Sequence, residues 1–460
     1  MLTAGERIDW IADNCRVPNT GKPIELQTFQ TDFVESLYGD GVLAAGLSIP
    51  RGNGKTGLLA CIALAELFLN PYAPDIACAG VTLEQSARPS GVYGVAKAMV
   101  LANPDLLNAC KIHRNHSNPH IEVAGGQLAC VAIKDPDGLL GGSWSLAIAD
   151  EFGSDVWTDE RYGNIVQSTG KRGADSRVVG ISTPNSQRSA MFTMRESYKA
   201  GRSSSALRWT EFSSEGDPGD RATWFEANPA LGKFLDIAAL EMDFLDRPLW
   251  QFKMMRLGLW VDADSAQGWL GLEGAQHWDN TATDIEFDLT EPVFIGCDKS
   301  VLDDLTAVVA LQRNADRWLS KCFIFKPSPR IDHAAVRDKI RELARTYKVA
   351  AIGYDPRFFV ESAQDLTDEG LPMVSVNQGP GLIAPYQTLH KAITEERFFH
   401  DEDEDYRLAM LSAVPKMQAN GGFTLSKNAS RVKIDAAVAT AIALSVSDIE
   451  PPQTEFKFLF

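Results

Sequence analysis

The sequence predicts two α/β domains in succession, the first built on a doubly wound parallel sheet. Three observations predict it. Strand-like and helix-like runs alternate through the first 200 residues, the pattern of a parallel sheet covered on both faces. A glycine turn, Ser48-Ile49-Pro50-Arg51-Gly52-Asn53-Gly54-Lys55-Thr56, stands between an apolar run and a helical one. From Pro292 the pattern changes to three consecutive strands, then a helix and a strand. These changes divide the chain at 1–200, 201–285 and 286–460, the middle piece having the loop-rich composition of a linker or lid.

Leu43 to Ile49 is apolar enough to be a strand buried on both faces. Lys55 to Asn70 has helical periodicity, with Leu58, Ile62, Ala65 and Leu69 on one side. Between them Gly52 and Gly54 let backbone N–H groups close around phosphate oxygens at a helix N-terminus. Lys55 is placed to reach β- and γ-phosphates and Thr56 to ligate magnesium, so ATP and magnesium are the expected cofactors. The spacing is irregular, because Ile49 stands where the usual pattern has its first glycine. Ahead of the loop, Gln30 lies in a helix from about Thr28 to Tyr38, and its amide can both donate to and accept from an adenine edge.

Next come a strand at Ile76 to Val81, a helix from about Leu83, and β-like runs at Ile121 to Ala124 and Leu128 to Ile133. The strand leading through Ser145 to Ala149 ends in Asp150 and Glu151, which puts two carboxylates at the C-terminal sheet edge beside the phosphate loop. Asp150 suits magnesium or its waters, and Glu151 suits orienting and polarising an attacking water. Arg177 to Asn185 is another buried strand, whose tip offers the hydroxyls of Ser182 and Thr183 to a γ-phosphate. His113, His116 and His120 have ligand-like spacing, but Asn118-Pro119 breaks any helix there and no cysteine or acid completes a set, so a surface turn is expected.

In the second half, strands at Val293 to Asp298, Thr306 to Arg313 and Trp318 to Phe325 precede a helix from about His333 to Tyr347 and a strand from Val349 to Asp355, an order that matches ribonuclease H topology. Asp298 and Asp355 end buried strands, and Asp435 opens a last helix to Ser447. An acid at such a strand end faces a solvated site or is costly, which makes them metal-ligand candidates. Carboxylates from separate elements suit two-metal phosphodiester hydrolysis, with magnesium or manganese. Lys391, Arg397, Lys427, Arg431 and Lys433 fall near the expected opening, and Asp401 to Asp405 is an acidic run without an evident role.

Composition sets limits on these readings. The 460 residues, 45% apolar, suffice for two or three cored domains, and a net charge of −17 argues against a chain that coats nucleic acid non-specifically. Seven scattered cysteines give no disulfide framework and no cysteine metal site. No secretory leader or bilayer-spanning run is read from the sequence, so a cytoplasmic protein is expected.

The order Gln30, Arg51 to Thr56, Ile148-Ala-Asp-Glu151 and Ile181-Ser-Thr-Pro184 resembles the large terminase family of tailed bacteriophages, whose phosphate loops are similarly irregular. Thr223 to Gly232, Phe252 to Trp260 and Val432 to Ala441 extend the resemblance over nearly the whole chain. It implies an N-terminal P-loop ATPase and a C-terminal ribonuclease H-like nuclease: a motor that drives double-stranded viral DNA into a procapsid and an endonuclease that cuts concatemers. By position it implies Gln30 at adenine, Arg51 to Thr56 at the phosphates and magnesium, Asp150 at the metal, Glu151 at the water and Ser182 to Pro184 as a coupling motif. It also implies a nuclease set of Asp298, Asp355 and Asp435 with Asp304 as a fourth member. Family members work as a homo-oligomeric ring, expected as a pentamer, on the capsid portal in the infected host's cytoplasm, with a small terminase subunit. The turn at 139–142 lacks the arginine that some members aim at a neighbour's nucleotide, which leaves Arg172, Arg177 and Arg51 as candidates. The rival readings are a helicase-nuclease of repair or recombination and a non-enzymatic scaffold.

Overall fold

A computed structural model describes residues 2–80, 82–113, 115, 118–133, 142–261, 268–298, 305–327, 331–418, 421–427, 430 and 432–449. The chain forms two compact units, Met1–Asp262 and Ala263–Phe460.

The first unit is organised on an eight-stranded sheet. Its strands are β1 (Ala44–Ser48), β2 (Asp75–Gly80), β3 (Lys111–His113), β4 (His120–Val123), β5 (Gly126–Ala132), β6 (Leu146–Asp150), β7 (Arg177–Ser182) and β8 (Leu207–Glu211), in the spatial order β3-β4-β5-β2-β6-β7-β1-β8. From β5 to β8 every pairing is parallel, and β3 and β4 add an antiparallel edge. The parallel register aligns the C-terminal ends of β1, β6 and β7, with Ser48 paired to Ser182 and Asp150 to Ile181. That alignment is what gathers the phosphate loop, the paired acids and the Ser182 tip at one edge, the place where such sheets bind ligands.

Helix Lys55–Leu69 is buried on every side from Leu58 to Leu67, so it reads as apolar all round rather than amphipathic. Its one buried charge, Glu66, is met by Arg7 at 2.9 Å, and the Arg7 guanidinium also lies 3.8 Å over the Tyr38 ring. Truncating one partner strands the other charge in the core. Glu66→Ala is therefore expected to destabilise this unit by about 3–5 kcal/mol in denaturant unfolding, and a loss below about 1 kcal/mol would mean that Arg7 finds water instead.

The segment read as a linker is shared between the two units. Residues 207–211 form β8, parallel to β1, and helices Arg221–Ala227, Ile237–Asp246 and Leu249–Arg256 belong to the first unit. Its short helices and turns gave no periodic signal strong enough to show that Trp224, Leu240 and Phe252 are fully buried core residues.

The second unit holds a six-stranded sheet of β9 (Pro292–Asp298), β10 (Thr306–Asn314), β11 (Arg317–Phe325), β12 (Lys348–Tyr354), β13 (Met373–Ser375) and β14 (Phe398–His400), ordered β13-β12-β9-β10-β11-β14. A separate hairpin follows, β15 (Val414–Met417) with β16 (Phe423–Ser426). Helix Asp435–Ser445 lies directly on β9. A Cβ on Gly296 would stand 2.0 Å from the Ala439 carbonyl oxygen, and one on Gly353 would meet Ile442 at 2.7 Å, so these strands need glycine where the helix crosses. The close approach brings Asp435, at the helix start, over the end of β9. Among the described residues no helix is long and apolar enough to cross a membrane.

Candidate functional site

The phosphate loop follows β1 directly. Gly52 and Gly54 have φ of 96° and 76°, a region that side chains rarely adopt, and a Cβ on Gly52 would strike Leu235 at 2.8 Å. Gly54 precedes helix Lys55–Leu69 without a side-chain cap, so the first-turn N–H groups are left to whatever lies in the loop. A glycine cradle on an uncapped helix start fits a phosphate chain, and Thr56 sits in that first turn. Asn53 is buried and its side chain is committed: it donates to the Pro50 carbonyl at 3.1 Å and to Asn228 Oδ1 at 2.9 Å, and accepts from the Ala230 amide at 3.1 Å. Its part is to shape the loop, which leaves only its backbone for a ligand.

Lys55 Nζ donates to Thr183 Oγ1 at 2.6 Å and lies 3.4 and 3.5 Å from the carbonyl oxygens of Pro50 and Ile49. Desolvation lowers its pKa to about 8, against the nearby carboxylate of Asp150. Asp150 and Glu151 are both raised, in each case first by desolvation, and Glu151 further by the charge of Asp150 beside it. Glu151 has a φ of 49°, and Asp150 Oδ1 accepts its amide at 3.0 Å. A non-glycine residue held there is strained backbone at the end of β6, and it turns the second carboxylate away from the strand direction. The next turn touches the third element: a Cβ on Gly153 would lie 2.9 Å from Ser182 Oγ and the Thr183 carbonyl oxygen. Ser182 Oγ donates to that carbonyl at 2.7 Å. Lysine, paired acids and hydroxyl tip therefore form one connected group.

Gln30 sits less freely than a base-reading residue requires. Its Oε1 accepts the Gln27 amide at 2.9 Å, while Nε2 stands 3.2 Å from the Cβ position of Gly54. Only the donor half of the amide faces the loop.

Residues 228–256, read from sequence as part of a linker or lid, close the other side of the loop. Arg256 is buried, pairs with Asp243 Oδ2 at 2.7 Å and donates to the Arg51 carbonyl at 2.8 Å. Asn228 donates to the Arg256 carbonyl at 2.7 Å. Arg51 is lowered chiefly by desolvation, then by Arg247 and Arg256. Loop and short helices thus form a cationic wall, which no local sequence signal announces because its members lie about 200 residues apart in the chain. Arg172 and Arg177 stand away from this chain's own nucleotide loop. Arg172 donates to the carbonyls of Ser143, Tyr72 and Ala73, and Arg177 donates to that of Leu37 beneath the Tyr38 ring. Both lie where parallel strands begin, opposite the phosphate loop. Positions 139–141 lie outside the described residues.

The second unit holds the other acid centre. Asp298, Asp355 and Asp435 are 1%, 3% and 2% exposed. Tyr354 pairs with Cys297, so Asp298 and Asp355 follow side by side on neighbouring strands. Asp355 also caps the next helix, accepting the Arg357 amide at 2.9 Å. Lys427, from the end of β16, reaches Asp298 Oδ2 at 2.5 Å and Asp435 Oδ1 at 2.7 Å, and Gln378 Nε2 donates to Asp298 Oδ1 at 3.0 Å. Burial raises the Asp298 carboxyl to about 7, with the Lys427 ammonium opposing it. Three buried carboxylates against one ammonium leave the centre short of positive charge, so its residues fit a divalent cation. Lys427 and Gln378 were not read as parts of this centre, since only the fold brings the hairpin end and the loop after β13 to Asp298. Asp304 lies outside the described residues. Among the basic residues read near the opening, Lys391 and Arg397 pair with Glu395, and Arg431 lies outside the described residues. The acidic run is structural: Asp401 accepts the Cys322 amide, Asp403 caps a helix at the Tyr406 amide, and Asp405 pairs with Lys326.

Two family models match the chain: the ATPase domain of the terminase large subunit over residues 35–200, and its endonuclease domain over residues 209–342 and 325–448. The large terminase subunit of Enterobacteria phage HK97 is 24% identical, over 98% of this chain and 96% of that protein. The large terminase of the thermophilic bacteriophage D6E has the same fold, with a TM-score of 0.59 at 12% identity over 91% of this chain and 99% of that one. A structure of the D6E protein in complex with ADP aligns with a TM-score of 0.58 at 11% identity, covering 92% and 99% of the two chains. Nothing in these matches supports a helicase-nuclease. The chain belongs to the terminase large subunit family, with an ATPase domain in its first half and an endonuclease domain in its second.

Proposed function

We propose that the loop at 51–56 binds ATP with magnesium to drive double-stranded DNA into a procapsid, and that the Asp298 centre cuts the concatemer. The observation that carries this reading is that each compact unit gathers its own acids and one lysine at the C-terminal ends of its strands. The main-chain N–H groups of 52–56 hold the phosphates, and Lys55 leaves Thr183 for the β- and γ-oxygens. That transfer frees the Ser182–Thr183 tip and gives it a role in coupling. Gln30 donates to the base, Asp150 and Thr56 take the cation, and Glu151 orients the attacking water. Arg51 is the candidate to steady the charge that develops on the transferred phosphoryl group. When bound, magnesium neutralises that charge at one centre and activates water at the other, where Asp298, Asp355 and Asp435 would hold it with Asp304 as a fourth donor. Family context supplies the rest of the proposal: a pentameric ring on the portal in the host cytoplasm, a small terminase subunit that selects DNA, and no part in the membrane.

The test is packaging itself. Purified protein, matching empty capsids, ATP and linear DNA are expected to give nuclease-protected DNA. Fully digested DNA in the presence of active ATP turnover would count against the motor.

Two predictions follow from the charges. Lys55 is protonated below about pH 8 and neutral above it. ATP affinity is therefore expected to hold below about pH 8 and to fall at higher pH by up to about tenfold per unit, read as a dissociation constant across buffers. A flat profile through pH 9 would show that Lys55 contributes no charge to binding. At the other centre, Lys427 pairs with both Asp298 and Asp435 and offsets part of their charge. Lys427→Met is expected to lower Tm without magnesium and to gain more than the wild type when magnesium is added. Equal gains would separate Lys427 from the metal site.

A further inference from the structure

The sequence reading found no acid to complete a set with His113 and His120, and the fold supplies one. Strands β3 and β4 pair so that His113 faces His120, and Glu122, two residues further along β4, falls on the same face. Reaching diagonally, His113 Nε2 bonds Glu122 Oε2 at 2.7 Å, and the two imidazoles stack at 4.1 Å. One ligand atom from each of the three lies within 4.8 Å of the others. The second partner of His120 fixes its tautomer. Nδ1 lies 3.0 Å from the Asn118 carbonyl oxygen, which can only accept, so the hydrogen is on Nδ1 and the lone pair on Nε2. His116 lies outside the described residues and takes no part.

We propose that His113, His120 and Glu122 form a binding site for one late first-row divalent cation, of the zinc or cobalt class. Two imidazoles and a carboxylate are the donor set of three-ligand zinc sites with an open position, and nitrogen donors select such ions over magnesium. Ligand atoms around a four-coordinate ion with bonds of about 2.0 Å stand about 3.3 Å apart, so modest rotations of part-exposed side chains close the set. His113 and Glu122 have that freedom, with 27% and 51% of their side chains exposed. On binding, His113 moves its hydrogen through water from Nε2 to Nδ1, and Nε2 becomes the ligand with no net change of charge. The ion would tie the outer two strands of the sheet together. Strands β5, β2, β6 and β7 separate it from β1, so it is a different site from the phosphate loop.

The test is cobalt(II) titration of untagged, chelator-treated full-length protein without nucleotide. One equivalent is expected to give the intense visible band of a four-coordinate ion, and zinc(II) should bleach it. The band should persist in Asp298→Asn, which disables the all-oxygen centre. It should vanish in His120→Ala, and Glu122→Gln should weaken affinity at least about tenfold. Retained ATP turnover in these two variants shows that they are folded. No band in the wild type, or an undiminished band in folded His120→Ala, overturns the proposal.

Discussion

Asp298→Asn is expected to reduce metal-dependent DNA cleavage on the order of 10³-fold, because a cation at a cleavage centre supplies several kcal/mol of charge stabilisation. Asp298 is the inner member of its centre. It is 1% exposed, is bonded by Gln378 and Lys427, and has Asp435 close by. Asparagine keeps the shape and removes the charge, so the fold is preserved and the Lys427–Asp435 pair can remain. ATP turnover should stay within about twofold of wild type, since the phosphate loop belongs to the other compact unit. The measurement is plasmid cleavage beside phosphate release on one preparation. Surviving cleavage would show that the acids at the ends of β9 and β12 are misassigned.

Glu151→Gln is expected to do the converse. Losing the group that orients and polarises water costs about 10²- to 10⁴-fold in turnover. Glutamine retains the side-chain length and the strained backbone at φ 49°, so nucleotide should still bind. Its raised pKa, set by desolvation and by Asp150, gives the carboxylate more basicity than a free one. Because Lys55 and Asp150 are untouched, ATP affinity should change little while hydrolysis stops, with DNA cutting retained. Equal weakening of binding and turnover would instead make Glu151 a structural residue of the turn.

Much of this was legible in sequence because chain-local signals carried it. Strand β1, the glycine loop and helix Lys55–Leu69 are contiguous, and Asp150, Asp298 and Asp355 each announce themselves by ending or directly following an apolar strand. What was missed depends on contacts between residues distant in sequence. Asn53 resembles a ligand residue until Asn228 and Ala230 are seen to bind its side chain. Lys427 resembles a surface base until the hairpin brings it between two aspartates. His113 and Glu122 are nine residues apart, a spacing that means nothing on a helix but is an adjacent diagonal in a hairpin. The arginines at 172 and 177 show the opposite effect. Their nearness in sequence to the active strands concealed that they stand where those strands begin.

The central claim is that one chain carries two independent centres, one moving DNA and one cutting it. Packaging of pre-cut linear DNA by the Asp298→Asn protein tests it most directly, scored as nuclease-protected DNA in matching capsids with ATP. Full-length protected DNA at the wild-type level is the predicted result. No protected DNA, with ATP turnover intact, would contradict the claim, because the cutting centre would then be needed to move DNA that requires no cut.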